Sequence, residues 1–206
     1  NFINFKMKNI IIFGAGGHSN SCIDVILEEK KFKIIFIVDD KKKNTKKFNF
    51  NVKALAYFEK SFKKNDNIFL GIGLIKNANK RWSLIKKLEK YNLNFSKIIS
   101  PSSYISKYSK ISEGTIVMHN SVINSNTIIM EHTIINTSSI IEHDVYIGKN
   151  CHISTGAIVN GGSRVGDHTF IGSGSIIHQN IEIGTKCIIG AGKVIKKNLP
   201  SNSIIK

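Results

Sequence analysis

His143 is the only histidine of this chain with an acid on each side, Glu142 and Asp144, in the segment "INTSSIIEHD". A carboxylate that orients an imidazole makes it a general base near neutral pH, because an unperturbed histidine titrates at about 6.5. Adjacency alone leaves open which acid reaches the ring. A second candidate lies near the start, where "NIIIFGAGGH" reads as a buried strand running into a turn with Gly14, Gly16 and Gly17. The next strand, "KIIFIVDD", ends in Asp39 and Asp40. Glycines ahead of a helix let backbone N–H groups approach a phosphate, and an acid at a strand end can hold a ribose hydroxyl or a base edge. Ser19 stands where a dinucleotide fingerprint has its third glycine, so the turn predicts nucleotide recognition without NAD.

The elements that must position these groups are of two kinds. From Ile99 to Ile195 every sixth residue is Ile or Val without a slip. A period of six suits short strands joined by regular corners, the hexapeptide pattern of a parallel β-helix, and predicts no inserted excursion in that stretch. Three residues after each aliphatic come mostly Gly, Asn or Asp, which tolerate a left-handed corner. Four residues after come small side chains such as Thr133, Ser139, Cys151 and Ser163, which can point inward. Three hexads close a coil of about eighteen residues, with i and i+18 roughly 4.8 Å apart. His143 then stacks on Gly161, whose missing side chain predicts a gap beside the ring, while Gly162 reads as a plain corner. His132 and His168 fall at corners and are expected to be exposed; His119 and His178 have no supporting context.

The first half reads as a small Rossmann-like unit. The turn is followed by a helix, "SNSCIDVILEE", with Ile23, Ile26 and Leu27 on one face; "DNIFLGIG" gives a third strand and "ANKRWSLIKKLEKY" a second helix with Trp82, Ile85 and Leu88 in helical spacing. The expected division is 1–95 for this domain and 96–206 for the β-helix. Residues before Met7 read as an extension ahead of the first strand.

The chain has 206 residues and a net charge of +16, concentrated in the first half, where residues 1–100 hold 21 Lys and Arg against 8 Asp and Glu. The lysines sit amid Asn and Ile, as in "KKKNTKKFNFN", which describes a solvated surface; no helix-turn-helix, zinc-finger or RNP-like motif points to nucleic acid. Three cysteines without framework spacing argue for a reducing compartment, and no apolar run is long enough for a membrane span. The opening lacks the pattern of a signal peptide, so the expected location is the cytoplasm.

Taken together, "GAGGH", "VDD", "GIG" and the hexapeptide array carrying "INTSSIIEHD" and "CHISTGAIVNGG" resemble the bacterial sugar O-acyltransferases, typified by sialic acid O-acetyltransferases and by UDP-4-amino-sugar N-acetyltransferases. The resemblance implies a Rossmann-like domain followed by a left-handed β-helix, assembled as a homotrimer. It implies an acetyl-CoA-dependent N-acetyltransferase acting on a nucleotide-linked, UDP-type 4-amino-dideoxy sugar for bacterial surface glycans. By the same resemblance His143 and Asp144 are catalytic, and acetyl-CoA, the co-substrate, meets His152, Gly161, Ser173, Gly190 and Ala191 in a groove between subunits. The nucleotide sugar meets Gly14, Gly16, Gly17, His18, Asp39, Asp40 and Asn136, and no metal is involved.

Acetyl transfer from a thioester needs a nucleophile relieved of its proton, and a sugar amine is protonated near neutral pH, so a histidine base suits the step. The same base would serve a sugar hydroxyl, which keeps O-acetylation of sialic acid or a related sugar as the alternative, beside a non-catalytic sugar-binding scaffold. A zinc hydratase on the same fold would need histidines around a metal, and the array lacks a short His-x4-His pair.

Overall fold

The computed structural model describes residues 7–74 and 78–206. The segment before Met7 that the sequence sets apart lies outside the described residues.

Six strands make the first sheet: β1 (Lys8–Phe13), β2 (Phe32–Val38), β3 (Lys46–Lys47), β4 (Phe50–Lys53), β5 (Asn67–Leu70) and β6 (Asn94–Phe95). The order is β3-β4-β2-β1-β5-β6, and only the β3–β4 hairpin is antiparallel. Helices α1 (Gly17–Glu29), α2 (Leu55–Ser61) and α3 (Ala78–Glu89) connect it. The hairpin lies where the sequence reads only a lysine bias, and α2 in a stretch to which the sequence reading assigns no element. The chain leaves β1 toward β2 on one side and returns to β5 on the other, so the crevice at the carboxyl ends of β1 and β5 is the switch point at which α/β sheets bind ligands.

β7 (Ile98–Ile99) opens the second part, and a two-residue strand follows every six residues up to Val194–Ile195, before a last strand at Ile204–Ile205. No excursion interrupts the array. Partners are eighteen apart, as in Ile116↔Ile134 and Ile134↔His152, and the strands stack into three parallel faces of seven, six and five strands. Every sixth residue from Gly114 to Gly192 has positive φ, including His132 (59°), Ser138 (56°), Asp144 (60°), His168 (61°) and Lys186 (56°). The aliphatic ladder fills the prism; Ile123, Ile141, Ile153 and Val159 are fully buried, and Ile99, Ile105 and Ile111 close its open end half-buried.

The inward small residues have a second role that volume alone does not suggest. Corner backbone groups fall outside the strand ladders, and a buried unpaired carbonyl or N–H is costly. Thr133 Oγ1 donates to Gly148 O (2.8 Å) and accepts from Cys151 N (3.2 Å); Thr169 Oγ1 does the same for Gly184 O (2.9 Å) and Cys187 N (3.1 Å). Each hydroxyl links one corner to the next. Cys22, Cys151 and Cys187 are free and buried.

Helix α1 lies between the two parts and is buried on more than one side, through Ser19, Cys22, Ile23, Val25 and Ile26, whereas Leu27 is exposed, contrary to the expected single face. It packs on Ile10 and Ile12 of the sheet and on Ile98, Ile116 and Ile134 of the first prism face, in one continuous core. No described helix is long and apolar enough to cross a membrane.

Thr133→Val keeps the shape but removes both hydrogen bonds. It is expected to lower unfolding free energy by about 1–3 kcal/mol, with Thr133→Ser close to the parent, in urea denaturation followed by circular dichroism.

Candidate active site

His143 and Asp144 follow Ile141 on the edge between the second and third faces of the prism. The left-handed corner at Asp144 turns its carboxylate back onto the preceding residue, and Asp144 Oδ2 lies 2.7 Å from His143 Nδ1. Asp144 Oδ1 accepts from Asn126 Nδ2 one coil below, and that bond, followed by the one from His143, lowers the Asp144 pKa. Glu142 turns away and accepts from Asn124 Nδ2 (2.9 Å). The acid at the ring is therefore Asp144. Both members of the pair are open to solvent, at 62% and 52% exposure.

Gly161 is on the same edge one coil later, and it leaves no gap. A Cβ built there would lie 2.7 Å from His143 Cε1 and 2.8 Å from Nε2, so the imidazole itself occupies the volume that the sequence reading gives to a ligand arm. The glycine seats the ring. Gly162 has φ +68° and is a corner.

Asn136 and His152 meet on the other side of the molecule. Asn136 Oδ1 accepts from Thr137 N (2.8 Å), which aims Nδ2 at His152 Nε2 (3.1 Å). His152 Nδ1 lies 2.6 Å from Leu74 O, which only accepts. The network thus assigns a neutral ring with its proton on Nδ1. Burial, then the nearby Arg81 charge acting against the bond to Leu74, pushes the His152 pKa down to about 4. His18, at the start of α1, packs its side chain over Gly73, with its ring centroid 6.1 Å from that of His152. Burial, His152 and Arg81 push it down to about 3, and among the described residues its buried Nε2 has no partner.

At the switch point Gly14 is obligatory, with φ +103° and Ile72 where its Cβ would be. Gly16 and Gly17 differ: a Cβ on either meets nothing within 4 Å, and α1 begins there without a side-chain cap. Asp39 serves the turn, accepting from Ala15 N (2.8 Å) and Lys41 N (3.0 Å), and Asp40 accepts from Leu55 N (2.9 Å) at the start of α2. Two lysines that composition does not single out close over the turn. Lys42 Nζ donates to Ala15 O (3.1 Å), and Lys47 Nζ to Ala15 O (3.1 Å) and Gly16 O (2.9 Å). Only the hairpin carrying Lys47 brings it there.

Asn136, Ser173, Gly190 and Ala191 line the edge between the first and second faces, with Ser173 Oγ 2.9 Å from Ser154 Oγ. They are separated from His143 by the width of the second face. Within one chain the residues of the expected site form two groups: His143, Asp144 and Gly161 on one edge; His18, Asn136, His152, Ser173, Gly190 and Ala191 on or beside the other. Two of the other histidines, His132 and His168, depart from expectation. His132 is buried beneath Phe95 and Trp82 with its pKa pushed down to about 3, mainly by burial, because α3 covers its corner; His168 is half-buried against Trp82. His119 joins the two parts, within 2.7 Å of Ser100 Oγ and 3.3 Å of Asp24 on α1. Among the described residues no group of His, Cys, Asp and Glu is arranged to hold a metal.

Comparison with known proteins finds two matching families. A family described as the PglD N-terminal domain matches residues 9–88, and one described as bacterial transferase hexapeptide (six repeats) matches residues 162–197. The first part of the chain is thus similar to the PglD N-terminal domain, and the end of its β-helix to the bacterial transferase hexapeptide repeats. Solved structures align along nearly its whole length. They include the acetyltransferase domain of PglB from Neisseria gonorrhoeae FA1090 (24% identity, 96% of this chain and 95% of that one, TM-score 0.89) and WeeI from Acinetobacter baumannii AYE (24%, 97% and 96%, 0.86). PerB from Caulobacter crescentus, solved with CoA and GDP-perosamine, aligns at 26% identity over 97% of this chain and 94% of that one, with a TM-score of 0.87. No curated protein matches the sequence significantly. The fold is a small α/β domain and a left-handed β-helix.

Gly161→Ala is expected to keep the coil, since the backbone there is not left-handed, and to swing His143 off Asp144; a crystal structure of the variant reads this directly. For the buried histidines the sign is fixed by their lowered pKa values. Between about pH 6.5 and pH 3 the unfolded chain binds more protons than the folded one, so stability falls as pH falls through that window. His132→Asn, which suits the left-handed corner, is expected to lose less melting temperature than the parent between pH 7 and pH 5.

Proposed function

We propose that the chain is an acetyl-CoA-dependent N-acetyltransferase acting on a nucleotide-linked 4-amino sugar for a bacterial surface glycan, in the cytoplasm. The observation that carries this reading is the exposed His143–Asp144 pair, 2.7 Å apart, on the edge of an uncovered apolar face. The second face presents Tyr104, Val122, Ile140, Ile158, Ile176 and Val194 outward, all exposed or half-buried. A contiguous apolar face of this kind marks an association surface. A second copy seated on it brings its own His143 edge to the edge bearing Asn136, Ser173 and Gly190, and a ring of three closes the arrangement, as the resemblance implies.

In this reading the nucleotide diphosphate lies over Gly16 and Gly17, whose lack of side chains meets no need of the protein alone, with Lys42 and Lys47 beside its charge. We read the nucleotide as uridine; the Caulobacter relative holds a guanosine one. The sugar reaches His18 and Asn136, and the acetyl thioester lies along Ser173, Gly190 and Ala191 toward the same point. His143 of the adjoining copy takes the proton from the attacking amine through Nε2. The new C–N bond forms as the C–S bond breaks, and the proton passes to the departing CoA sulfur. Asp144 holds Nδ1–H and balances the imidazolium charge.

His143→Ala is expected to cut kcat about 10²- to 10⁴-fold with assembly and melting temperature unchanged, and Asp144→Asn to cost less. The assay is acetyl-CoA consumption against UDP-, GDP- and dTDP-linked 4-amino sugars and free sialic acids. Turnover of sialic acid alone would replace the amine with a hydroxyl acceptor, and near-normal turnover by His143→Ala would remove the assignment.

A further inference from the structure

Arg81 of α3 is 1% exposed, and each acceptor it uses is neutral. Nε donates to Ile72 O (2.9 Å), and Nη1 donates to His132 O (2.7 Å) and to Asn150 Oδ1. Among the described residues buried Nη2 has no partner. Among the described residues no carboxylate hydrogen-bonds or pairs with this guanidinium, and burying such a charge is costly unless its geometry serves a purpose.

Its partners indicate that use. His132 and Asn150 are left-handed corners stacked on neighbouring coils of the β-helix, eighteen residues apart, while Ile72 belongs to the 71–74 loop that follows β5. Two residues after Ile72, Leu74 O meets His152 Nδ1, and between them Gly73 lies under His18. A planar fork that reaches two prism corners and a loop carbonyl fixes the loop against the β-helix in a way that a single ammonium cannot.

We propose that Arg81 is a positioning residue that fastens the 71–74 loop to two corners of the β-helix, so that Leu74 O holds His152 as the Nδ1–H tautomer and its Nε2 stays an acceptor. Burial and the same guanidinium charge also hold His18 and His152 neutral. A metal-ligating or catalytic histidine is commonly oriented by a bond at its second nitrogen; here that bond is set by a residue which touches neither ring. The kinetic consequence rests on the acetyltransferase reading, whereas the tautomer does not.

The test is two-bond ¹H–¹⁵N correlation of histidine-labelled protein, comparing parent and Arg81→Lys, with acetyl-transfer kinetics alongside. The parent is expected to show His152 protonated on Nδ1 with a bare Nε2. Arg81→Lys, folded, is expected to show a mixture of tautomers and a loss of about tenfold to a hundredfold in kcat/KM for the sugar. If Arg81→Lys does not fold, Asn150→Gly keeps the left-handed corner, removes one Arg81 acceptor and is read the same way. An unaltered Nδ1–H pattern for His152 in the folded variant overturns the proposal. A parent that transfers no acetyl group to any amino sugar would instead remove the functional reading and leave the tautomer result to stand by itself.

Discussion

Every six residues this chain turns a corner, and each corner from Gly114 to Gly192 requires a left-handed backbone. For most side chains that conformation costs about 1–2 kcal/mol, so Gly, Asn and Asp recur there. The corner also removes backbone groups from the strand ladders, and inward hydroxyls such as those of Thr133 and Thr169 take them up. Stacking is then strict, and a side chain on one coil has a known neighbour on the next. The His143–Asp144 pair uses the same device. Asp144 is tolerated at φ 60° because it is an aspartate, and that turn brings its carboxylate to the ring of the residue before it. Gly161, one coil on, yields its side-chain volume to the imidazole.

A second constraint joins the two parts. Helix α1 is buried between the sheet and the first prism face, and the loop after β5 and the start of α1 meet His152 through Leu74 O and the His18 ring. Arg81 and His119 add polar ties at two further points of the same junction. The glycine turn and the β-helix therefore act on one another through a packed interface, and His18 lies beside His152 as a result.

Much of this was legible in the residues. The hexad period gives the strands, corners and i+18 neighbours, because a two-residue strand followed by a left-handed corner leaves little freedom. The same rule paired His143 with Gly161 but misjudged what fills the space, since a period locates Cα atoms and says nothing of where a ring comes to rest. A corner faces outward, so the sequence predicts an exposed His132; only the packing of α3 buries it. Lys47 was hidden for a similar reason. Its place over Gly16 depends on a short antiparallel hairpin inside a lysine-rich stretch, where composition obscures the pattern. Arg81 gave no signal, as a single arginine in an amphipathic helix reads as surface.

The spatial separation of the two groups of residues is the feature on which the functional account depends. His143 stands on one edge of the apolar second face and Asn136 on the other. Mixed assemblies test this directly: chains carrying His143→Ala are combined with chains carrying His18→Ala by co-expression, and acetyl transfer to the amino sugar is measured. Each variant alone is expected to be nearly inactive. If every site joins His143 of one copy to His18 of the next, random mixing restores about a quarter of the parent activity. A mixture no more active than either variant alone would mean that each chain builds its site from its own residues, and would contradict the account.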